Sequence, residues 1–67
     1  MKMTLKALRI NAGMNQAQAA DKIGIYIGTL RNYENGRTMP DQPIIERICS
    51  VYDVDYDNIN FLPKMLG

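Results

Sequence analysis

Apolar residues recur along this chain at three- and four-residue intervals, in blocks separated by glycine, asparagine, aspartate and proline. Leu5, Leu8 and Ala12 form the first block and predict a helix over roughly Thr4 to Asn11. Gly13 ends it, because glycine accepts the left-handed conformation that closes helices. Asn15 then caps a second helix, with Gln18 three residues on as its reciprocal partner and Met14 placed to pack back across the cap. Ala17, Ala20 and Ile23 are expected to share its inward face, and Gly24 stops it. A third helix runs from about Tyr26 to Glu34; Asn35-Gly36 terminates it and Pro40 forbids immediate continuation. Asp41 caps a fourth, with Pro43 tolerated in its first turn. Ile44, Ile45, Ile48, Cys49 and Tyr52 repeat at helical spacing until Asp53-Val54 breaks the run. Asp55 is placed to cap a short fifth helix, about Tyr56 to Leu62, before a loose tail over 63–67. No strand pattern of useful length interrupts this series. The expected fold is all-α, a compact five-helix domain.

The junction between the second and third helices carries the most information. Helices joined by so short a turn cross steeply with their backbones close together. That requires a small residue on the first, which Ala20 supplies, and a turn residue with positive φ, which Gly24 supplies. Leu30 and Tyr33 are spaced to lock the second helix of the pair to the body. Ala20, Gly24, Leu30 and Tyr33 fall four, eight, fourteen and seventeen places after Gln16. This is the plan of a helix-turn-helix, here over about 16–35, whose second helix enters the DNA major groove. A purely structural helical hairpin shares some of the spacing.

At about 100° per residue, with Leu30 pointing inward, Tyr26, Tyr33 and Glu34 also lean inward. Gly28, Arg31, Asn32 and Asn35 point outward, and Ile27 and Thr29 lie on the flanks. A guanidinium such as that of Arg31 can hold guanine O6 and N7, or a phosphate. A carboxamide such as that of Asn32 can hold adenine N6 and N7. Ile27, at the leading end, can touch a thymine methyl or pack in the core.

Length and composition narrow the choice. Sixty-seven residues are expected to make one domain, near the lower limit for a self-sufficient core. Cys49 is the lone cysteine, which suits a reducing compartment, and it lies on the apolar stripe of the fourth helix. No stretch has the length of a signal peptide's apolar run or of a membrane span, so a cytoplasmic protein is expected. Net charge is only +1, but its distribution is uneven. Residues 1–37 hold six basic and two acidic side chains, net +4, and residues 38–67 hold two basic and five acidic, net −3. This fits a basic face opposite an acidic one, or an ordinary solvated surface.

The stretches Leu5-Lys6-Ala7-Leu8-Arg9, Asn15-Gln16, Ala20 to Gly24, and Tyr33-Glu34-Asn35-Gly36-Arg37 resemble the Xre, or Cro/CI, family of phage repressors and bacterial regulators. Tyr52-Asp53-Val54-Asp55 followed by Ile59 is similar to that family's closing turn. The resemblance spans about residues 4 to 62 and implies a lambda-repressor-like fold. It implies base-edge contacts from Ile27, Gly28 and Asn32, with Arg31 added by its outward position, and phosphate contacts from Gln16, Asn35 and Arg37. It also implies an Arg9–Glu34 ion pair tying the first helix to the end of the third. Three positions depart from the pattern. Tyr26 replaces the usual Ser or Thr cap of the third helix, Gly28 stands where a polar reader is common, and Ala19 stands where a larger apolar residue is common.

Enzyme chemistry has little support. There is no histidine, no zinc-ligand constellation, and no calcium loop around Asp53, Asp55 and Asp57, where the required glycine and terminal glutamate are missing. The sequence therefore predicts a non-enzymatic, repressor-like transcriptional regulator that reads an operator in double-stranded DNA. No cofactor, metal, membrane or small-molecule ligand is called for. Phe61 and Leu62 are candidates for a homodimer contact, formed at least on DNA. The alternative is an antitoxin- or antirepressor-like module whose main partner is another protein.

Overall fold

Helix starts in this protein follow the side-chain caps. The computed structural model describes residues 2–61 and contains four α-helices: α1 (Leu5–Asn11), α2 (Gln16–Ile23), α3 (Ile27–Glu34) and α4 (Gln42–Tyr52). The Thr4 hydroxyl accepts from the Ala7 amide at 3.1 Å. Asn15 and Gln18 form a reciprocal capping box, at 2.8 and 2.9 Å. Asp41 accepts from the Ile44 amide at 3.2 Å. Each such cap satisfies a backbone donor that the helix itself leaves without a partner. Only α3 starts without a side-chain cap; its N-cap is Tyr26.

The four helices end alike. In each, an amide beyond the helix bonds back to a carbonyl five residues earlier: Met14 to Arg9, Ile25 to Ala20, Arg37 to Asn32 and Val54 to Cys49, at 2.9–3.2 Å. This closure needs one residue with positive φ just before the donor. Gly13, Gly24, Gly36 and Asp53 take that place, with φ of 75°, 85°, 74° and 52°. At Gly24 the demand is conformational. A Cβ built there would meet only the tip of the Arg47 guanidinium, at 3.4 Å.

The core gathers Leu5 and Leu8 from α1, Ala19, Ala20 and Ile23 from α2, Leu30 from α3, Ile48 and Tyr52 from α4, and Ile59 beyond it. Ile23, Leu30 and Ile48 are fully buried, each contributing about 1.5–3 kcal/mol by removal from water. Cys49 packs at the margin of this core, where burial and, secondarily, the charges of Asp55 and Glu46 push its thiol above the ordinary value. Met14 packs against the core beside its cap. Helix α2 packs on both α3 and α4, and α1 packs on α3.

Several sequence expectations change. There are four α-helices among the described residues, not five. The segment expected to form the fifth makes one 3-10 turn, Tyr56–Asn58, with no side-chain cap from Asp55. It then becomes extended at Ile59, which forms a parallel bridge with Met3. The Met3 amide donates to the Asn58 carbonyl at 2.9 Å, and the Asn60 amide donates to the Met3 carbonyl at 2.8 Å. Asp57, Asn58, Ile59 and Asn60 are weak helix formers, too few to cover the cost of nucleation when the N-terminal arm offers partners. On α2 the inward alanines are Ala20, as expected, and Ala19, while Ala17 is exposed; contact with both α3 and α4 turns a broader arc inward. Ala12 is exposed, because it is the C-cap of α1 and has left the apolar face. Tyr26 does not lean inward: it is 86% exposed. As N-cap its backbone is extended (φ −73°, ψ 149°), so the helical rotation does not apply to it. Leu62 and the tail 63–67 lie outside the described residues.

Candidate nucleic-acid interface

Helix α3 presents two chemically different sides. Leu30 and Glu34 are buried, while Gly28 and Arg31, and Asn35 at its C-cap, are exposed. Ile27, Thr29, Asn32 and Tyr33 are half-buried between them. Ile27 thus packs against the core and keeps part of its surface in solvent. Gly28 has open space around it, with nothing within 4 Å of a Cβ built at that position. Beyond α3, Gly36 turns the chain and the Arg37 amide bonds to the Asn32 carbonyl at 2.9 Å. This fixes the backbone of Arg37, whose side chain is exposed, just past the helix end.

A chain of polar contacts runs beneath this face. Arg9 Nε donates to Glu34 Oε2 at 2.7 Å and Arg9 Nη2 to Glu34 Oε1 at 3.2 Å, a two-pronged fork. Arg9 Nη1 also donates to the Met14 carbonyl at 3.1 Å. The pair is buried, with Arg9 8% and Glu34 6% exposed. The Glu34 carboxylate holds the Arg9 guanidinium protonated even more firmly than usual, the hydrogen bond outweighing burial. Gln16, the first residue of α2, donates from Nε2 to Glu34 Oε1 at 3.2 Å. Its Oε1 accepts from Arg31 Nε, also at 3.2 Å. The tyrosine Tyr52 lies near the same pair; its hydroxyl is buried without a hydrogen-bond partner among the described residues. Burial, then the charge of Glu34, push it up to about 12, against a smaller opposing effect of Arg9.

These contacts sort the residues singled out from sequence. The structure brings Arg9, Gln16, Arg31 and Glu34 into one hydrogen-bonded series joining α1, α2 and α3. Gly28, Arg31, Asn35 and Arg37 share the outer side of α3 and its end, with the half-buried Asn32 at its edge, and no hydrogen bonds run among their side chains. Arg9–Glu34 is the one ion pair among the described residues, so Arg31 and Arg37 present charge with no carboxylate in salt-bridge range. Phe61 is half-buried against the core and its ring centroid lies 5.8 Å from that of Tyr56. Tyr26 stands out into solvent at the leading end of α3 and lines an open cleft with Ala20, Asp21, Gly24, Ile25 and Thr29. Among the described residues no helix is long and apolar enough to cross a membrane. The same residues hold no metal-binding group of three or more His, Cys, Asp or Glu side chains.

Two packed helices joined through a left-handed glycine, the second with a polar outer face, define a helix-turn-helix DNA-binding domain. The sequence pattern of the helix-turn-helix family matches residues 5–59, and the chain belongs to that family, in its Xre or Cro/CI branch. The family is one of DNA-binding regulators and is not typically enzymatic. Antitoxin PezA of Streptococcus pneumoniae serotype 4 is 33% identical over 63 residues, which is 94% of this chain and 40% of that protein. The chain thus spans about two-fifths of the length of this curated relative. No solved structure matches significantly.

Proposed function

We propose that this chain binds double-stranded DNA sequence-specifically by laying α3 in the major groove, and that it regulates transcription by occupying an operator. The observation that carries this reading is the exposed outer side of α3, with Arg31 on it, the half-buried Asn32 at its edge and an uncapped leading end, braced from behind by a buried ion pair. Ile27, Gly28, Arg31 and Asn32 face base edges. Gln16, Asn35 and Arg37 hold phosphates at the two ends of the motif. One N–H of the Gln16 amide donates to Glu34, which leaves the second for a phosphate. One helix reads only a few base pairs, so two copies on a near-palindromic site are expected, with half-sites about 10 base pairs apart centre to centre. Phe61 and Leu62 are the proposed contact between copies.

Paired substitutions test the assignment. Asn32→Ala should weaken binding to the preferred site by about 1–3 kcal/mol and relax specificity at one base pair, with little change on scrambled duplexes. Arg37→Ala should weaken binding to all sequences and make the slope of log affinity against log salt shallower by about one unit. Equal losses on both duplexes for Asn32→Ala, or an unchanged slope for Arg37→Ala, contradict the respective roles. The second reading, an antitoxin-like module with a protein as main partner, draws on the likeness to PezA. It predicts weak, nearly salt-independent interaction with duplex DNA.

A further inference from the structure

Gln16 stands between two arginines with opposite duties. Arg9 is buried and fully engaged with Glu34, whereas Arg31 is exposed on the outer side of α3. The Gln16 amide contacts both ends of this arrangement, donating to Glu34 and accepting from Arg31. Its orientation is set by chemistry: turned over, it would place its NH2 group against a guanidinium and its oxygen against a carboxylate. Glu34 is itself fixed by the Arg9 fork. The rigidity of the core is therefore passed through one carboxamide to a side chain that faces the groove.

Resting on the DNA-binding reading above, we infer that Gln16 is a positioning residue that fixes the plane of the Arg31 guanidinium for reading a guanine. With Nε held by Gln16, a side-on contact through Nε and one terminal nitrogen is closed. The two terminal nitrogens make no hydrogen bond among the described residues, so the pair of N–H groups at the end of the guanidinium opposite Nε stays free. That leaves the end-on fork, whose spacing suits guanine O6 and N7. A free surface arginine samples many rotamers and loses that freedom on contact. An arginine already tethered at Nε loses less, and it is worse at adapting to a different base. Gln16 thus sharpens discrimination at one base pair without touching a base.

The test uses Gln16→Met, with similar length and no hydrogen-bonding amide, and Gln16→Ala as a second variant. The base pair concerned is the one at which Arg31→Ala loses preference in titrations against single-substituted duplexes. At that pair, Gln16→Met should lower the affinity ratio between guanine and other bases by about tenfold. In an Arg31→Ala background it should leave the ratio unchanged. A phosphate contact by Gln16 cancels in this ratio, so it does not mimic the effect. In the free protein, 15N relaxation should show an ordered Arg31 Nε–H that becomes mobile in Gln16→Met, at unchanged helix content. An unchanged ratio in both Gln16 variants, or effects that multiply with those of Arg31→Ala, overturns the inference while leaving DNA binding intact. An ordered Arg31 Nε–H in a protein that prefers no duplex sequence overturns the DNA reading, and the inference with it.

Discussion

Cutting the Arg9–Glu34 pair should bring this small protein to the edge of unfolding. Glu34→Ala removes both prongs of the fork and the acceptor for Gln16, leaving Arg9 with the Met14 carbonyl alone. The side chains of Arg9 and Glu34 are 9% and 3% exposed, so water does not readily replace the lost partner. Breaking a buried pair by removing one member costs about 3–5 kcal/mol. The lower end applies here, since the Met14 carbonyl remains to Arg9. A chain of 67 residues has a total stability of about 3–10 kcal/mol, at 0.05–0.15 kcal/mol per residue. One substitution thus removes a large share of it. Arg9→Ala should be as damaging, because it strands the carboxylate. The double variant should be about 2–3 kcal/mol more stable than the two single losses predict, since no unpaired charge then stays buried. Arg9→Met with Glu34→Leu should lie within about 1 kcal/mol of the parent, because an apolar pair incurs no desolvation cost. Urea unfolding followed by circular dichroism measures each value. The losses should persist in 0.5 M salt, as expected for charges shielded from solvent. Single losses below about 1 kcal/mol, additive in the double variant, would refute the argument by showing a pair that water already screens.

Two other changes have defined signs. Gly28→Ala should stabilise the free protein by about 0.8–1 kcal/mol, since a Cβ meets nothing there and alanine favours helix; on DNA, a loss of affinity would mean that the glycine admits close backbone approach, and an unchanged affinity that it only omits a contact. Tyr52, held up to about 12 against an ordinary 10.0, should retain its full contribution below pH 10 and lose it as pH rises towards 12. That is up to about 3 kcal/mol of alkaline destabilisation, absent from Tyr52→Phe; parallel pH profiles for the two proteins would contradict it.

Legibility of the fold from sequence followed how local the determining physics is. Asn15 with Gln18, Asp41, Gly24 and Asp53 act within a turn or two of themselves, and the helix ends fall where those residues place them. The segment after Asp55 was misjudged because its partner, Met3, lies at the other end of the chain. Alanines carry too little hydrophobic contrast to reveal an inward face, so Ala17 and Ala19 were sorted by tertiary neighbours. Tyr26 was misplaced because a helical wheel has no position for a cap. At the site, the wheel separated Arg31 from Leu30 and Glu34, since that needs only helix geometry. It could not show that Gln16 bonds to both Arg31 and Glu34, contacts across 15 and 18 residues that depend on how α2 and α3 cross.

The central claim is that α3 reads duplex DNA. Selection of bound sequences from a randomised duplex pool tests it most directly. The account predicts enrichment of a near-palindromic site with half-sites about 10 base pairs apart, an enrichment that disappears for Asn32→Ala combined with Arg31→Ala. A pool that stays random, while both proteins remain folded, would contradict it.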